Sequence, residues 1–165
     1  MVTVLKLGGS VITDKTRRET LDGPALDRTA DAIAAACSGG TPDGQTAAIG
    51  DVDDLVLVHG GGSFGHPHAE DHSVDTTTGT GDAGAVLEIH SAMKTLNQFV
   101  LARLHERDVP ALPVHPLSAG SRDDTGRLTQ PTEQVATMLA EGFTPVLHGD
   151  VVAHEGKGAT VLSGD

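Results

Sequence analysis

Residues 55–66 read Leu-Val-Leu-Val-His-Gly-Gly-Gly-Ser-Phe-Gly-His, an apolar run followed at once by glycines. Consecutive aliphatic residues bounded by glycine predict a buried strand, Leu55–Val58, that ends in a tight turn. The N-terminus repeats this arrangement, since the predicted strand Val2–Leu7 ends at Gly8-Gly9-Ser10. Strands that end in glycine-rich loops are common where a backbone approaches a ligand closely.

Helical and strand-like patterns alternate along the rest of the chain. The predicted elements are, in order, helix 24–37, helix 85–107, strand 111–115, helix 131–141, strand 144–148 and a hairpin over 151–162. This alternation predicts an α/β fold with a largely parallel sheet. Residues 38–53 are predicted to form a surface loop and residues 73–84 a mobile segment, because both have little to bury. In parallel sheets, ligands bind beyond the carboxyl ends of the strands.

Composition excludes several classes of protein. The chain has 165 residues, a net charge of −12 and one cysteine, so a disulfide framework and a multi-cysteine metal site are excluded. Its apolar runs are too short to cross a bilayer, and the N-terminus lacks the layout of a signal peptide, so a cytoplasmic protein without a membrane partner is expected. The acidic balance disfavours nucleic-acid binding. Dispersed acid favours adaptation to high salt, with an ordinary acidic enzyme as the alternative.

The glycine loops and two lysines indicate an anion site. Lys6 ends the first strand among residues expected to be buried, where a phosphate over Gly8-Gly9 would neutralise it; alternatively, its side chain reaches solvent past the strand end. Lys15 lies shortly after this loop, although alone it is typical of a surface lysine. Neither loop has the spacing of a Walker or dinucleotide-binding motif.

Histidine and aspartate residues follow other strands. His66 is predicted on the first turn of a helix that points at the ligand, where its imidazole can donate to a phosphate oxygen. His68 and His72 fit a solvated helix, and no metal site of side chains alone is predicted. Asp150 and Asp165 each follow a glycine at a strand end, where a carboxylate can orient a lysine, hold Mg²⁺ or simply form a turn.

Four motifs together resemble the amino acid kinase superfamily and, within it, the archaeal-type isopentenyl phosphate kinases. They are Leu5–Ser10 with Asp14-Lys15, Val58–His66, Pro145–Asp150 and Val161–Asp165. The ending Phe64-Gly65-His66 is the most specific of them, and the match runs in order along the whole chain. The resemblance implies a three-layer α/β/α sandwich, ATP with Mg²⁺, isopentenyl phosphate as acceptor and a homodimer.

The resemblance also implies roles for individual residues. Lys6, Lys15, His66 and Asp150 would form the catalytic set, with Asp150 orienting the lysines and Lys15 stabilising the transferring phosphoryl group. The implied binding residues are Lys6, Gly8, Gly9, Ser10 and Gly62 for the nucleotide, and Gly61, His66 and Gly149 for the acceptor phosphate.

Members of this family continue for roughly another domain beyond the position of Asp165. Residues 1–165 are therefore expected to be the N-terminal, phosphate-acceptor-binding part, without the C-terminal nucleotide-binding part. Two alternatives stay open at this point. One is another small-molecule kinase of the superfamily, and the other is a non-catalytic phosphate-binding remnant.

Overall fold

A parallel sheet organises the fold of residues 1–38 and 54–164, which the computed structural model describes. Its strands are β1 (Val2–Leu7), β2 (Asp54–His59), β3 (Ala111–Val114) and β6 (Thr144–His148). They lie in the order β1-β2-β6-β3, and all neighbouring pairs are parallel. The register places Leu7 beside His59 and His59 beside His148. The carboxyl ends of β1, β2 and β6 therefore meet at one edge.

Helices pack against this sheet. The helices of the described ranges are α1 (Gly9–Ile12), α2 (Gly23–Cys37), α3 (Gly62–Asp71), α4 (Ala83–His105), α5 (Pro116–Ala119) and α6 (Glu133–Ala140). α2, α3 and α4 bury side chains against β1 and β2 in a single core. The apolar residues at three- and four-residue steps that predict this helix are Val86, Ile89, Met93, Leu96, Val100 and Leu104; Val86 is half-buried and the other five are buried. The predicted α/β fold with a parallel sheet is confirmed.

Aspartate side chains set the starts of the two longest helices. Asp22 accepts a hydrogen bond from the Ala25 backbone N–H at 3.0 Å, and Asp82 accepts one from Gly84 at 2.8 Å. Each satisfies a backbone donor that has no partner within the helix. α4 therefore begins two residues before its predicted start at Ala85, because the cap and not the first apolar residue determines where the helix begins.

A second sheet extends from the carboxyl end of β6. Its strands are β4 (Ser121–Arg122), β5 (Leu128–Thr129), β7 (Asp150–His154) and β8 (Gly158–Leu162), in the order β5-β4-β7-β8. β7 and β8 form the predicted hairpin. The short strands β4 and β5 were not predicted, because they depend on pairing with β7, far along the chain.

Two loops were predicted, over residues 38–53 and 73–84. Only Ser38 of the predicted loop 38–53 lies within the described residues. The prediction of a mobile segment over 73–84 is wrong, because its backbone pairs with β8. Thr80 and Ala159 exchange two hydrogen bonds of 2.9 Å, and the Val161 N–H donates to Asp75 at 2.9 Å. The edge of β8 provides backbone hydrogen-bond partners for this segment, which the composition of the segment itself does not reveal.

In the described ranges, none of the helices combines the length and the apolar character needed to span a membrane.

Replacement of Leu96 by alanine tests the core. Leu96 is completely buried on α4, so Leu96→Ala should lower the free energy of unfolding by about 2–5 kcal/mol. Leu87→Ala is the matched control, because Leu87 lies on the same helix and is 63% exposed; its effect should stay within about 0.5 kcal/mol. Denaturant unfolding measures both, and equal losses would contradict the described core.

Candidate functional site

A cavity of about 820 Å³ opens where the carboxyl ends of β1, β2 and β6 meet. The loops that follow these strands line it, together with parts of α3, α4 and β8. Every site residue named from the sequence lines this cavity: Lys6, Gly8, Gly9, Ser10, Lys15, Gly61, Gly62, His66, Gly149 and Asp150. Asp165, also singled out in the sequence, lies outside the described residues. The structure thus brings these residues together, and their individual roles stay predictions.

The two glycine-rich loops touch each other through their backbones. A Cβ atom on Gly9 would overlap the backbone nitrogen of Gly62 and lie 2.7 Å from its Cα. Gly62 itself has a φ of +49°, which side chains rarely allow. The Gly60 N–H donates to the Leu7 carbonyl at 2.9 Å. Glycine is therefore required at positions 9 and 62 by the contact between the loops.

A buried threonine fastens this contact. The Thr13 hydroxyl donates to the Gly9 carbonyl at 2.8 Å and accepts from the Ser63 N–H at 3.0 Å. It thereby joins α1 to the first turn of α3. Sequence reasoning did not single out Thr13, because a threonine among polar loop residues carries no local sign of burial.

The start of α3 presents backbone N–H groups to the cavity. α3 begins at Gly62, and its cap residue Gly61 supplies no side-chain acceptor. The Ser63 N–H is bonded to Thr13, and those of Phe64 and Gly65 donate to the Gly61 carbonyl, so the N–H groups of Gly61 and Gly62 are the ones that can meet an anion at the positive end of the helix dipole. Glycine at positions 60–62 lets an anion approach these groups closely.

We call the glycine-rich loops 8–10 and 60–62 the glycine cradle. Positive side chains surround this cradle, although the whole chain carries a net charge of −12. The cationic or imidazole side chains that line the cavity are Lys6, Lys15, Arg17, Arg18 and His66. Its acidic lining residues are Glu70 and Asp150. The cavity is therefore a local concentration of positive charge, which favours an anionic ligand.

The exposure of Lys6 differs from what the sequence predicted. It was expected among buried residues, but it is exposed, as are Val2 and Val4 on the same face of β1. β1 lies at an edge of the sheet, and its alternate residues point away from the helices. Lys6 therefore reaches the cavity from the outer face of the strand.

The loop that carries Lys15 is anchored to α3. Arg18 forms an ion pair with Asp71 at 2.5 Å, and the Glu19 N–H donates to the Ser63 carbonyl at 2.9 Å. At the start of the loop, hydrogen bonds from Thr16 and Arg17 lower the pKa of Asp14 to about 2. These contacts hold Lys15 at the mouth of the cavity.

His66 is exposed and is the fifth residue of α3, so it lies one residue beyond the predicted first turn. It still lines the cavity, together with the adjacent Pro67. The neighbouring His68 and His72 donate to carboxylates instead, both of them to Glu88 at 2.9 Å. Their side chains are only 14% and 28% exposed, so these residues are polar and hydrogen-bonded but not solvated as the sequence predicted.

Asp150 is buried at the start of β7 and lines the cavity floor. Its carboxylate accepts hydrogen bonds from His90 Nδ1 at 2.8 Å and from the Val151 N–H at 2.8 Å. Burial raises the pKa of the Asp150 carboxyl, and the charge and hydrogen bonds around it oppose this shift. His90 could not be identified from the sequence, because it lies beside the apolar residues of α4 and its partner is 60 residues away.

A group of histidines lies near Asp150 at the carboxyl ends of the strands. His59 and His148 are buried, and their rings stack with centroids 5.4 Å apart. His148 Nδ1–H donates to the Gly149 carbonyl at 2.8 Å, so its Nε2 accepts from His115 Nδ1–H at 2.8 Å. Burial lowers the pKa of His148 to about 3 and also lowers that of His59. These side chains are neutral at neutral pH.

Apolar side chains from α4 and β8 complete the cavity lining. They are Ile89, Met93, Val161 and Leu162. Met93 also limits the space beside α3, since a Cβ on Gly65 would lie 2.6 Å from its sulfur atom. The cavity therefore combines a polar, positively charged region with an apolar wall.

Residues 1–38 and 54–164 contain no group of three or more side chains arranged to hold a metal ion.

The parallel sheet, the glycine cradle and the surrounding cations define an α/β protein with a cavity suited to a phosphate-like anion. Comparison with known proteins is consistent with this class. The amino acid kinase family matches residues 1–165, and the chain belongs to this family.

Several proteins similar to this chain are named isopentenyl phosphate kinase. The chain is 52% identical to isopentenyl phosphate kinase of Haloferax volcanii over 164 residues, which is 99% of this chain and 61% of that protein. It is 32% identical to isopentenyl phosphate kinase of Methanocaldococcus jannaschii, covering 100% of this chain and 62% of that protein. A crystal structure of an isopentenyl phosphate kinase matches with a TM-score of 0.84 at 29% identity, over 99% of this chain and 64% of that one. The chain thus spans about three fifths of these relatives.

Substitution of Gly9 tests the contact between the loops. Gly9→Ala should lower the free energy of unfolding by about 1–3 kcal/mol, because the new methyl group overlaps the Gly62 backbone. Gly23→Ala is the control, since a Cβ there meets nothing within 4 Å. Denaturant unfolding distinguishes them, and a Gly9→Ala protein as stable as the control would show that the loops do not touch.

The buried histidines predict a loss of stability in mild acid. An unfolded histidine takes up a proton near its ordinary pKa of 6.5, whereas folded His148 does so only near 3. The unfolded state therefore binds more protons between these values, and His148 alone should cost about 2 kcal/mol at pH 5 relative to pH 7. His59 and His115 act in the same direction, since their pKa values are also lowered.

Urea unfolding of the wild type and His148→Gln at both pH values measures this effect. The comparison cancels the change in overall charge that both proteins share. The variant should lose clearly less stability than the wild type on going to pH 5. Equal losses in the two proteins would contradict a neutral, buried His148.

Proposed function

We propose that this chain forms the phosphate-acceptor part of an isopentenyl phosphate kinase, which transfers a phosphoryl group from ATP to isopentenyl phosphate and so makes isopentenyl diphosphate. The observation that carries the proposal is the dual lining of the cavity. Glycine N–H groups and cations suit a phosphate, and the adjoining wall suits a short hydrocarbon tail. The names of the similar proteins support the same substrate.

The polar region suits two phosphate groups in close proximity. Phosphoryl transfer needs little covalent help, and its catalysis consists mainly of positioning and of compensating negative charge. Lys6, Lys15 and His66 are cationic or hydrogen-bond-donating groups around one cavity. Backbone N–H groups at the start of α3 add fixed donors that need no reorganisation during the reaction.

The apolar wall suits the alkenyl tail. Ile89 and Met93 on α4 and Val161 on β8 are hydrocarbon or thioether side chains. They offer no hydrogen-bonding group to a polar acceptor such as an amino acid or a nucleoside. Acceptors of that kind would leave polar groups unpaired against this wall, which disfavours them.

We assign the residues as follows. Gly61, His66 and Gly149 bind the acceptor phosphate, while Lys6, Gly8, Gly9, Ser10 and Gly62 face the phosphates of ATP. An oxygen of the acceptor phosphate attacks the γ-phosphorus, the bond from that phosphorus to the β–γ bridging oxygen breaks, and ADP leaves. Lys15 compensates the charge of the transferring group, and Asp150 orients the lysines.

The nucleotide brings its own metal ion in this proposal. Because the described residues offer no cage of side chains, Mg²⁺ would enter with the ATP phosphates, whose charge it partly neutralises. Contacts to adenine and ribose would come from the part of the longer relatives that this chain does not span. Residues 1–165 would then supply the acceptor site.

The same proposal places the protein in the cytoplasm, where ATP is available, as a homodimer. It binds neither a nucleic acid nor a membrane in this account, because its surface is acidic. The dispersed negative charge also suits a salt-rich interior, since ions screen the self-repulsion of the folded chain.

Substitution of His66 tests the acceptor site. Calorimetric titration of the chain with isopentenyl phosphate should give saturable binding, and His66→Ala should weaken it about tenfold or more, because a hydrogen bond to a phosphate oxygen is lost. His72→Ala is the matched control, since His72 follows the same helix but does not line the cavity. It should bind like the wild type.

Unchanged affinity in His66→Ala would contradict the role given to His66. Titration with UMP, acetylglutamate and aspartate addresses the substrate itself. Binding of one of these molecules in place of isopentenyl phosphate would assign the chain to another kinase of the family.

A further inference from the structure

The carboxylate of Asp150 on β7 accepts a hydrogen bond from a histidine on α4. His90 on α4 reaches β7, and its Nδ1 lies 2.8 Å from Oδ2 and 3.1 Å from Oδ1 of Asp150. The Val151 N–H donates to Oδ1 at 2.8 Å. The Asp150 side chain is completely buried, and that of His90 is 11% exposed. Both oxygens of this carboxylate therefore have fixed donors.

This arrangement solves an electrostatic problem of the cavity. A carboxylate on the floor of a phosphate site repels a phosphate, and it can orient nearby lysines only if its own position is fixed. A buried carboxylate without a donor must take up a proton or turn toward another positive group. The hydrogen bond from His90 satisfies it from the side of α4, away from the glycine loops.

The ring of His90 is itself held in place. It lies edge-on to His115, with ring centroids 5.8 Å apart and an angle of 87° between the planes. His115 in turn donates to buried His148 at 2.8 Å. The orientation of His90 is thus supported by a second row of side chains that do not line the cavity.

We propose that His90 is a positioning residue for the phosphate site, and that its Nδ1–H holds the Asp150 carboxylate in one orientation at the cavity floor, the orientation in which Asp150 acts on the lysines. The inference rests on the proposed function and adds to it a residue that does not itself contact the ligand. The proposal predicts that the site needs a hydrogen-bond donor to Asp150 at the position of His90 Nδ1. An imidazole ring is not needed for any other reason.

Two isosteric variants test this requirement. In His90→Asn the side-chain nitrogen takes the place of Nδ1, whereas in His90→Gln it takes the place of Nε2. Titration with isopentenyl phosphate and with inorganic phosphate should give affinities within about twofold of the wild type for His90→Asn and about tenfold weaker for His90→Gln. His105→Gln is the control, since His105 lies on the same helix and bonds to the Ala111 carbonyl instead.

Two results of this titration would overturn the proposal. Wild-type affinity in His90→Gln would mean that the donor from His90 is not needed, since the backbone donor of Val151 remains. Equal weakening in both variants would mean that the bulk of the imidazole matters and not its Nδ1–H. A role in stability alone would change the unfolding midpoint of the variants without separating their affinities.

Nitrogen-15 spectra of the unligated wild type test the same claim without a ligand or a variant. They should show His90 protonated at Nδ1, and the Asp150 carboxyl carbon should shift in His90→Gln but not in His90→Asn. An Nε2-only tautomer of His90 would overturn the proposal. If neither phosphate compound binds the wild type while these signals appear, the proposed function fails and the positioning of Asp150 stands.

Discussion

The contact between two backbones at the carboxyl ends of β1 and β2 is the constraint on which the site depends. Gly9 and Gly62 approach so closely that neither has room for a side chain. Parallel pairing of the strands brings the loops to the same edge, and Thr13 joins them. Because the loops are locked together, glycines of both line one cavity. A cradle of this kind is fixed before any ligand arrives, so binding costs little reorganisation.

Charge is distributed to match this geometry. A chain with a net charge of −12 places two lysines, two arginines and a histidine around a single cavity. The carboxylate on the cavity floor, Asp150, is bonded to His90, and the histidines at neighbouring strand ends are kept neutral by burial. Positive charge therefore remains on the cavity surface, whereas the polar groups beneath it satisfy one another.

Much of this arrangement could be predicted from the sequence. Apolar runs that end in glycine identified β1 and β2, and the three- and four-residue periodicity identified α4, because these signals are local. The exposure of Lys6 was mispredicted, since it depends on where β1 lies in the sheet. His90 and Thr13 escaped prediction because their partners are distant in sequence or set by tertiary packing. The pairing of Asp75 and Thr80 with β8 was not predicted for the same reason.

The most direct test of this account is to map isopentenyl phosphate on the backbone amides of the chain by NMR. The account predicts saturable shifts at Gly8, Gly9 and residues 60–66, with one common dissociation constant, and no shifts in α6. Both loops must respond together, because they form one cradle. Shifts in only one loop, or shifts elsewhere in the chain with both loops silent, would contradict a shared phosphate site at the carboxyl edge of the sheet.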